Sequence, residues 1–113
     1  MIRFARDCKS GYIVARMRFE IFIAQEAVED LKKLKALVRT EVREAIELHL
    51  RHEPRKVSKS RIKRLRGLSR PQFRLRVGEI RVFYDVSERS VEVLAIVAKT
   101  EAESWLAQFG SPE

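Results

Sequence analysis

The spacing of apolar and polar positions changes period several times along the chain, and each change marks an element. Residues 18–24, "RFEIFIA", mix alternation with a short apolar run, as expected of a strand buried on at least one face. From Gln25 the period lengthens. Ala24, Ala27, Val28, Leu31, Leu34 and Val38 recur at helical spacing, with Glu26, Glu29 and Asp30 early and Lys32, Lys33 and Lys35 late, an order that suits the helix dipole. Thr40 is the expected N-cap of a second helix, with Val42, Ala45, Ile46 and Leu50 as its buried stripe and Pro54 as its stop. The two helices should run antiparallel across a short link.

After a basic connector at residues 55–61 the period falls to two. Strands are expected at 62–68, 72–77, 79–86 and 91–98, with a tight turn at Gly78 and a short polar turn at 87–90, so consecutive strands should pair antiparallel. Ala102, Trp105, Leu106 and Phe109 then repeat at helical spacing and stop at Gly110 and Pro112. The order βααββββα predicts one α+β domain: a curved antiparallel sheet, two N-terminal helices packed on one face, and a short C-terminal helix.

Composition narrows the classes. A chain of 113 residues with 45% hydrophobic residues has the material for one domain with a core. It contains no apolar run of about 18 residues, the length a membrane-spanning helix needs. The single cysteine, Cys8, forms neither an internal disulfide nor a cysteine-based metal site. The N-terminus has no long apolar core or small-residue cleavage site of a secretory signal, so a cytoplasmic location without membrane, metal or cofactor is expected.

Charge is unevenly distributed. The net charge is +8, and residues 51–81 carry twelve Lys/Arg against two Asp/Glu, a local balance of +10. A block of this kind attracts polyanions, and nucleic acid gains most because each neutralised phosphate releases condensed counterions. The plainer reading is a solvated face that keeps a small protein soluble.

Alternation says where the cations point. In strand 72–77, Phe73, Leu75 and Val77 share one side while Gln72, Arg74 and Arg76 share the other. In the next strand Ile80, Val82, Tyr84 and Val86 oppose Arg81, Phe83 and Asp85. If the apolar sides meet the helices, Arg74, Arg76, Arg81 and Phe83 lie together on an open face, where Phe83 could stack on a base. The same alternation also fits the ordinary solvated face of a half-buried sheet with Phe83 as core. Tyr84 points inward and is expected to pack. Trp105, Leu106 and Phe109 form either the core stripe of the last helix or an apolar patch for a partner. His49 and His52 share a helical face, but the expected fold puts that helix behind the sheet, so they read as positive charge near a helix C-terminus.

"LRGL" at 65–68 and "FRLRVGEIRVFYDV" at 73–86, followed by an apolar strand and a short helix, resemble the RelE/ParE superfamily of bacterial toxin–antitoxin modules. The resemblance covers roughly residues 17–109 and agrees with the βααββββ order. It implies a type II toxin: a metal-independent, ribosome-dependent mRNA endoribonuclease that inhibits translation. Its partners would be the ribosome, mRNA and a cognate antitoxin, assembled with the toxin into a higher-order complex. The alternative is a non-catalytic ParE-like inhibitor of DNA gyrase, or an RNA- or antitoxin-binding protein without nuclease activity.

The resemblance carries Arg74, Arg76 and Arg81 over as catalytic, with Lys99 as a neighbouring basic residue. Arg64, Arg66, Arg70 and Phe83 are the expected RNA contacts, and Trp105, Leu106 and Phe109 the expected antitoxin contacts. The chain departs from the RelE pattern at "AKTEAESWL": Thr100 stands where a second arginine is expected, and Trp105–Leu106 stand in the region of a tyrosine. Residues 1–16 lie outside the resemblance as an N-terminal extension, expected to be loosely ordered or to add a short strand. Met17 is the expected natural start of the 17–113 toxin domain.

Overall fold

The computed structural model describes residues 18–113, so the expectations for residues 1–16 and for Met17 lie outside the described residues. Strand β1 (Glu20–Ile23) leads into helices α1 (Gln25–Lys32) and α2 (Ala36–Leu50). Six strands and one helix follow: β2 (Ile62–Arg64), β3 (Leu68–Arg70), β4 (Phe73–Val77), β5 (Ile80–Val86), β6 (Ser90–Ala98), α3 (Ala102–Phe109) and β7 (Ser111–Pro112), with a 3-10 turn, Lys99–Glu101, between β6 and α3. The main sheet has the order β1-β6-β5-β4-β2, and β3 pairs with β7 in a separate ribbon. This is the expected α+β class, with three differences of detail.

The first is that β1 lies parallel to β6, so the sheet is mixed. Hairpin turns impose antiparallel pairing only on consecutive strands, and four strands separate β1 from β6 in the chain. The second is the helix boundary. Helix α1 stops at Lys32 and α2 starts at Ala36, so Thr40 lies inside α2 and caps nothing. The apolar positions at 24–38 span two helices whose periods happen to stay in phase. An arginine from the next helix caps the end of α1: Arg39 donates to the carbonyl of Leu31 (3.1 Å), which also accepts the Leu34 N–H, and to that of Leu34 (2.8 Å). The third is the segment 62–68, which breaks after Arg64 and resumes at Leu68 as the ribbon strand.

The core sits between the helices and one face of the sheet. Ala27 and Leu31 of α1 and Val42, Ile46 and Leu50 of α2 pack with Phe73, Leu75, Val82, Tyr84, Val91, Val93 and Ile96. Tyr84 stacks on Phe73 at 5.5 Å, and its hydroxyl donates to the Pro54 carbonyl at 2.7 Å. Burial pushes its phenol well above the usual tyrosine range, so it stays protonated. The β4–β5 hairpin closes through Gly78 and Glu79, with Val77 opposite Ile80. Gly78 has φ +58° and, among the described residues, no non-glycine residue has positive φ, the pattern of a type II′ turn with glycine at its first central position.

Alternation along β6 does not run unbroken. Phe83 faces Ala95 while Tyr84 faces Val93, which leaves Leu94 as the extra residue of a bulge. The bulge lets both Val93 and Ile96 reach the helix side, three positions apart. Where β1 ends, Asp30 of α1 takes over its pairing role: its carboxylate accepts the Ile96 N–H at 2.9 Å. Among the described residues no helix is long and apolar enough to cross a membrane.

Candidate functional site

The sheet face opposite α1 and α2 is where the arginines were expected, and it is not open throughout. Helix α3 lies across its middle. Phe83 is fully buried there, with the Trp105 ring stacked on it at 5.1 Å and 5° between planes, and Phe109 stands 5.5 Å beyond Trp105. Phe83 is therefore closed to a base; it is the seat of α3. The expectation of an aromatic RNA contact is corrected by burial, and the core reading of Phe83 holds.

The C-terminus holds α3 down. Ser111 and Pro112 pair with β3, and the Glu113 N–H donates to the Gly67 carbonyl at 3.2 Å. The link between helix and ribbon is Gly110, whose Cβ, if it had one, would lie 2.6 Å from the Leu106 carbonyl oxygen. Only glycine permits that approach.

Helix α3 divides the face into bands. Along β5 the outward side chains are Arg81, Phe83 and Asp85, and their cross-strand partners sort accordingly: Arg76 opposite Arg81, Arg74 opposite Phe83, Glu92 opposite Asp85. One end is cationic, the middle is apolar and covered, and the other end is acidic. Arg70 belongs to the acidic end. It pairs with Asp85 at 3.3 Å and Glu92 at 3.4 Å, so its charge is compensated on the far side of α3 from the other arginines. That places it apart from the expected RNA contacts.

Asp85 is held between opposing influences. Burial raises its pKa, the Gln72 N–H at 2.7 Å and Arg70 lower it, and the balance lies above the ordinary aspartate range. The folded state therefore holds this proton more tightly than the unfolded chain, so the stability it contributes is greatest at low pH and is lost as pH rises through the folded pKa. An Asp85→Asn chain keeps an acceptor for Gln72 and loses the titration. Urea unfolding from about pH 3 to about pH 7 should show the variant gaining on the wild type as pH rises; parallel curves would refute the assignment.

At the cationic end a cleft of about 550 Å³ opens between the sheet and α3, lined by Arg74, Arg81, Phe83, Leu65, Lys99, Thr100, Ala102, Glu103 and Leu106. Lys99, Glu103 and Leu106 recur at helical spacing, so one side of the rod formed by the turn and α3 faces the arginines. Arg81 is 7% exposed, and its Nη1 donates to the carbonyls of Gly78 (2.9 Å) and Ile80 (3.0 Å). The hairpin thus fixes the guanidinium and leaves its remaining donors to the cleft. Arg74 is half-buried, and its Nε is buried without a hydrogen-bond partner. Burial, with Arg81 and then Arg76 nearby, pulls its pKa below the usual arginine range. Like charges directly opposite each other destabilise a sheet.

Neighbouring residues sort by register. Arg76 is exposed beside Arg81. Lys63 stands opposite Arg74 and so shares the cationic face, while Arg64 stands opposite Phe73 and leans over its ring at 5.3 Å on the helix side. Alternation alone does not separate Arg64 from Lys63, because without the β2–β4 register either residue fits the outward side. Arg66 is exposed in the turn before β3. Glu103 also lines the cleft, and its one sequence signal is the spacing of four from Lys99 on a helical segment.

The expected antitoxin residues separate: Leu106 faces the cationic cleft. Trp105 and Phe109, the latter 58% exposed, border a second groove with Pro71, Leu94, Glu26 and Asp30. His49 lies in a shallow cleft at the end of α2 with Arg61 and Lys56, behind the sheet. Burial, then Arg61, lowers its pKa, so it is neutral near pH 7. Among the described residues no three His, Cys, Asp or Glu side chains gather closely enough to hold a metal ion.

No family sequence model and no curated protein matches the chain. Solved structures do. The archaeal RelE–RelB complex from Pyrococcus horikoshii matches 74% of this chain and 97% of its own with TM-score 0.61 and 23% identity. The RelB–RelE antitoxin–toxin complex from Methanococcus jannaschii matches 74% and 96% with TM-score 0.58 and 20% identity. The toxin–antitoxin complex RelBE2 from Mycobacterium tuberculosis matches 73% and 92% with TM-score 0.58 and 25% identity. These likenesses make the chain RelE-like: it has the fold of the RelE toxins.

Proposed function

We propose that the chain is the toxin of a type II toxin–antitoxin pair and acts as a ribosome-dependent mRNA endoribonuclease in the cytoplasm, held inactive by a cognate antitoxin. The observation that carries the reading is the convergence of Arg74, Arg81 and Lys99 on one cleft, with Arg74 desolvated and its Nε unpartnered. The likeness to structures of RelE–RelB complexes supports a toxin with an antitoxin partner.

The reaction is attack of a ribose 2′-hydroxyl on the adjacent phosphorus. Two negative oxygens of the phosphorane need stabilisation, and donors already fixed in place serve best because they need no reorganisation. Arg81 is fixed by the hairpin carbonyls and engages phosphate oxygens through parallel N–H donors. Arg74 supplies the second cation. Arg76 and Lys63, outward on the same face, neutralise the backbone on either side, with Arg66 beyond. No arginine serves as base, because guanidinium does not deprotonate in proteins. Lys99 is exposed at the rim, where an ammonium acts as cation and proton donor to the leaving 5′-oxygen. The antitoxin covers the cationic cleft or lifts α3 at Trp105 and Phe109.

The test is 5′-end mapping of cellular mRNA shortly after induction, comparing the wild type with an Arg81→Ala chain whose melting curve shows it folded. New ends at fixed positions within translated codons, absent in the variant, are the expected result. Growth arrest with intact mRNA would replace this reading with a non-nuclease target such as gyrase. The departure at Thr100 and Trp105 from the RelE arginine and tyrosine is the observation that favours that second reading.

A further inference from the structure

The cleft holds three cations and one carboxylate. Glu103, in the first turn of α3, is the only acidic side chain lining it, and it faces Arg74 and Arg81 from the opposite wall. Among the described residues it makes no ion pair, with these cations or with any other. A carboxylate that shares a cleft with three cations yet touches none of them leaves room between the two walls for a substrate group. No other lining residue accepts a proton readily: Thr100 is a poor base, the arginines never deprotonate, and Lys99 is a solvated ammonium. The tyrosines offer no substitute among the described residues, since Tyr84 is buried on the helix side and spends its hydroxyl on Pro54.

We propose that Glu103 is the general base for cleavage, taking the proton from the attacking ribose 2′-hydroxyl; this rests on the nuclease reading above. The 2′-oxygen forms its bond to phosphorus as its proton passes to the Glu103 carboxylate. The bond from phosphorus to the 5′-oxygen breaks, and that oxygen takes a proton from the Lys99 ammonium. The products are a 2′,3′-cyclic phosphate and a 5′-hydroxyl; Glu103 then releases its proton to solvent and Lys99 takes one up, which restores both groups. Arg74 and Arg81 hold the non-bridging oxygens throughout. The two proton carriers stand one helical turn apart on the same side of the rod, which places base and acid on one wall and the phosphate clamp on the other.

The experiment is single-turnover cleavage of a defined mRNA on purified ribosomes, followed against pH for the wild type, Glu103→Gln and Glu103→Asp. Glu103 is exposed, so the variants should fold, and melting curves verify it. Glu103→Gln is expected to slow cleavage about 100-fold or more and to remove the acidic limb of the pH–rate profile, while Glu103→Asp keeps that limb with a smaller loss. A second readout separates base from acid. With a 5′-bridging sulfur at the scissile linkage the leaving group needs no proton, so this substrate should restore a Lys99→Ala chain and leave Glu103→Gln slow. Cleavage by Glu103→Gln at the wild-type rate with an unchanged profile overturns the assignment and leaves the nuclease reading standing. Rescue of Glu103→Gln by sulfur overturns it by making Glu103 the acid. A wild type that cuts no RNA overturns the nuclease reading and this assignment with it.

Discussion

An Arg74→Met chain should melt higher than the wild type and cut mRNA at least 100-fold more slowly. The two effects have one cause. The Nε of Arg74 is buried with no partner, and the guanidinium is crowded by Arg81 and Arg76 with no carboxylate to compensate. A buried polar group left unsatisfied costs about 1–3 kcal/mol. Because Arg74 is partly exposed, solvent screening puts the recoverable share near the lower end, about 1 kcal/mol. For a chain of 113 residues that is a rise in Tm of about 4 °C. Methionine keeps the apolar stem against the sheet, so the gain is not offset by a cavity. On the proposed nuclease reading an incoming phosphate relieves the same crowding, and losing one fixed donor to a developing charge typically costs about 10²–10³ in rate. Calorimetry and the ribosome cleavage assay check both halves. A lower Tm with cleavage unchanged would mean that Arg74 is an ordinary structural arginine.

The largest effect on stability should come from Phe83. Replacing it by alanine empties the fully buried site between the sheet and Trp105, and Phe→Ala at such a site costs about 3–5 kcal/mol. That is a large part of the roughly 5–15 kcal/mol that holds a domain together. The ribbon of Ser111 and Pro112 on β3 is short and exposed, so it does not keep α3 seated alone. The chain has a single tryptophan, so Trp105 fluorescence reports α3 directly. It should shift towards the solvated spectrum at denaturant concentrations below those that unfold the sheet. Phe83→Leu separates structure from chemistry. It keeps apolar volume under Trp105 while removing the flat ring a base would stack on, so the expected result is a modest fall in Tm with cleavage within about twofold of wild type. A folded Phe83→Leu chain that loses RNA binding would restore Phe83 to the interface.

Placement in the face explains why the cationic site was only half legible. Arg74, Arg76 and Arg81 follow from a period of two on each side of a Gly78 turn, because both strands of a tight hairpin are read from one continuous stretch. Lys63 and Arg64 do not follow, because the strand carrying them is three residues long and its register is set by β4 across a break at residues 65–67. A shift of one residue exchanges the two faces. Phe83 was ambiguous for a related reason: an alternating aromatic looks the same whether its side of the sheet is bare or covered.

What the sequence by itself determined is local. The strands β4, β5 and β6, the amphipathic stripes of α1 and α2, the tight turn at Gly78 and the concentration of positive charge at 51–81 all rest on spacing within a few residues, and periodicity records that. The tertiary structure alone decided whatever depends on distant segments meeting. It made β1 parallel to β6, inserted Leu94 as a bulge, and laid α3 over Phe83. That last step separated Arg70 from the other arginines and brought Glu103 opposite them. Such contacts are chosen by which buried surfaces fit and which charges are left unpaired, and no window of sequence contains both partners.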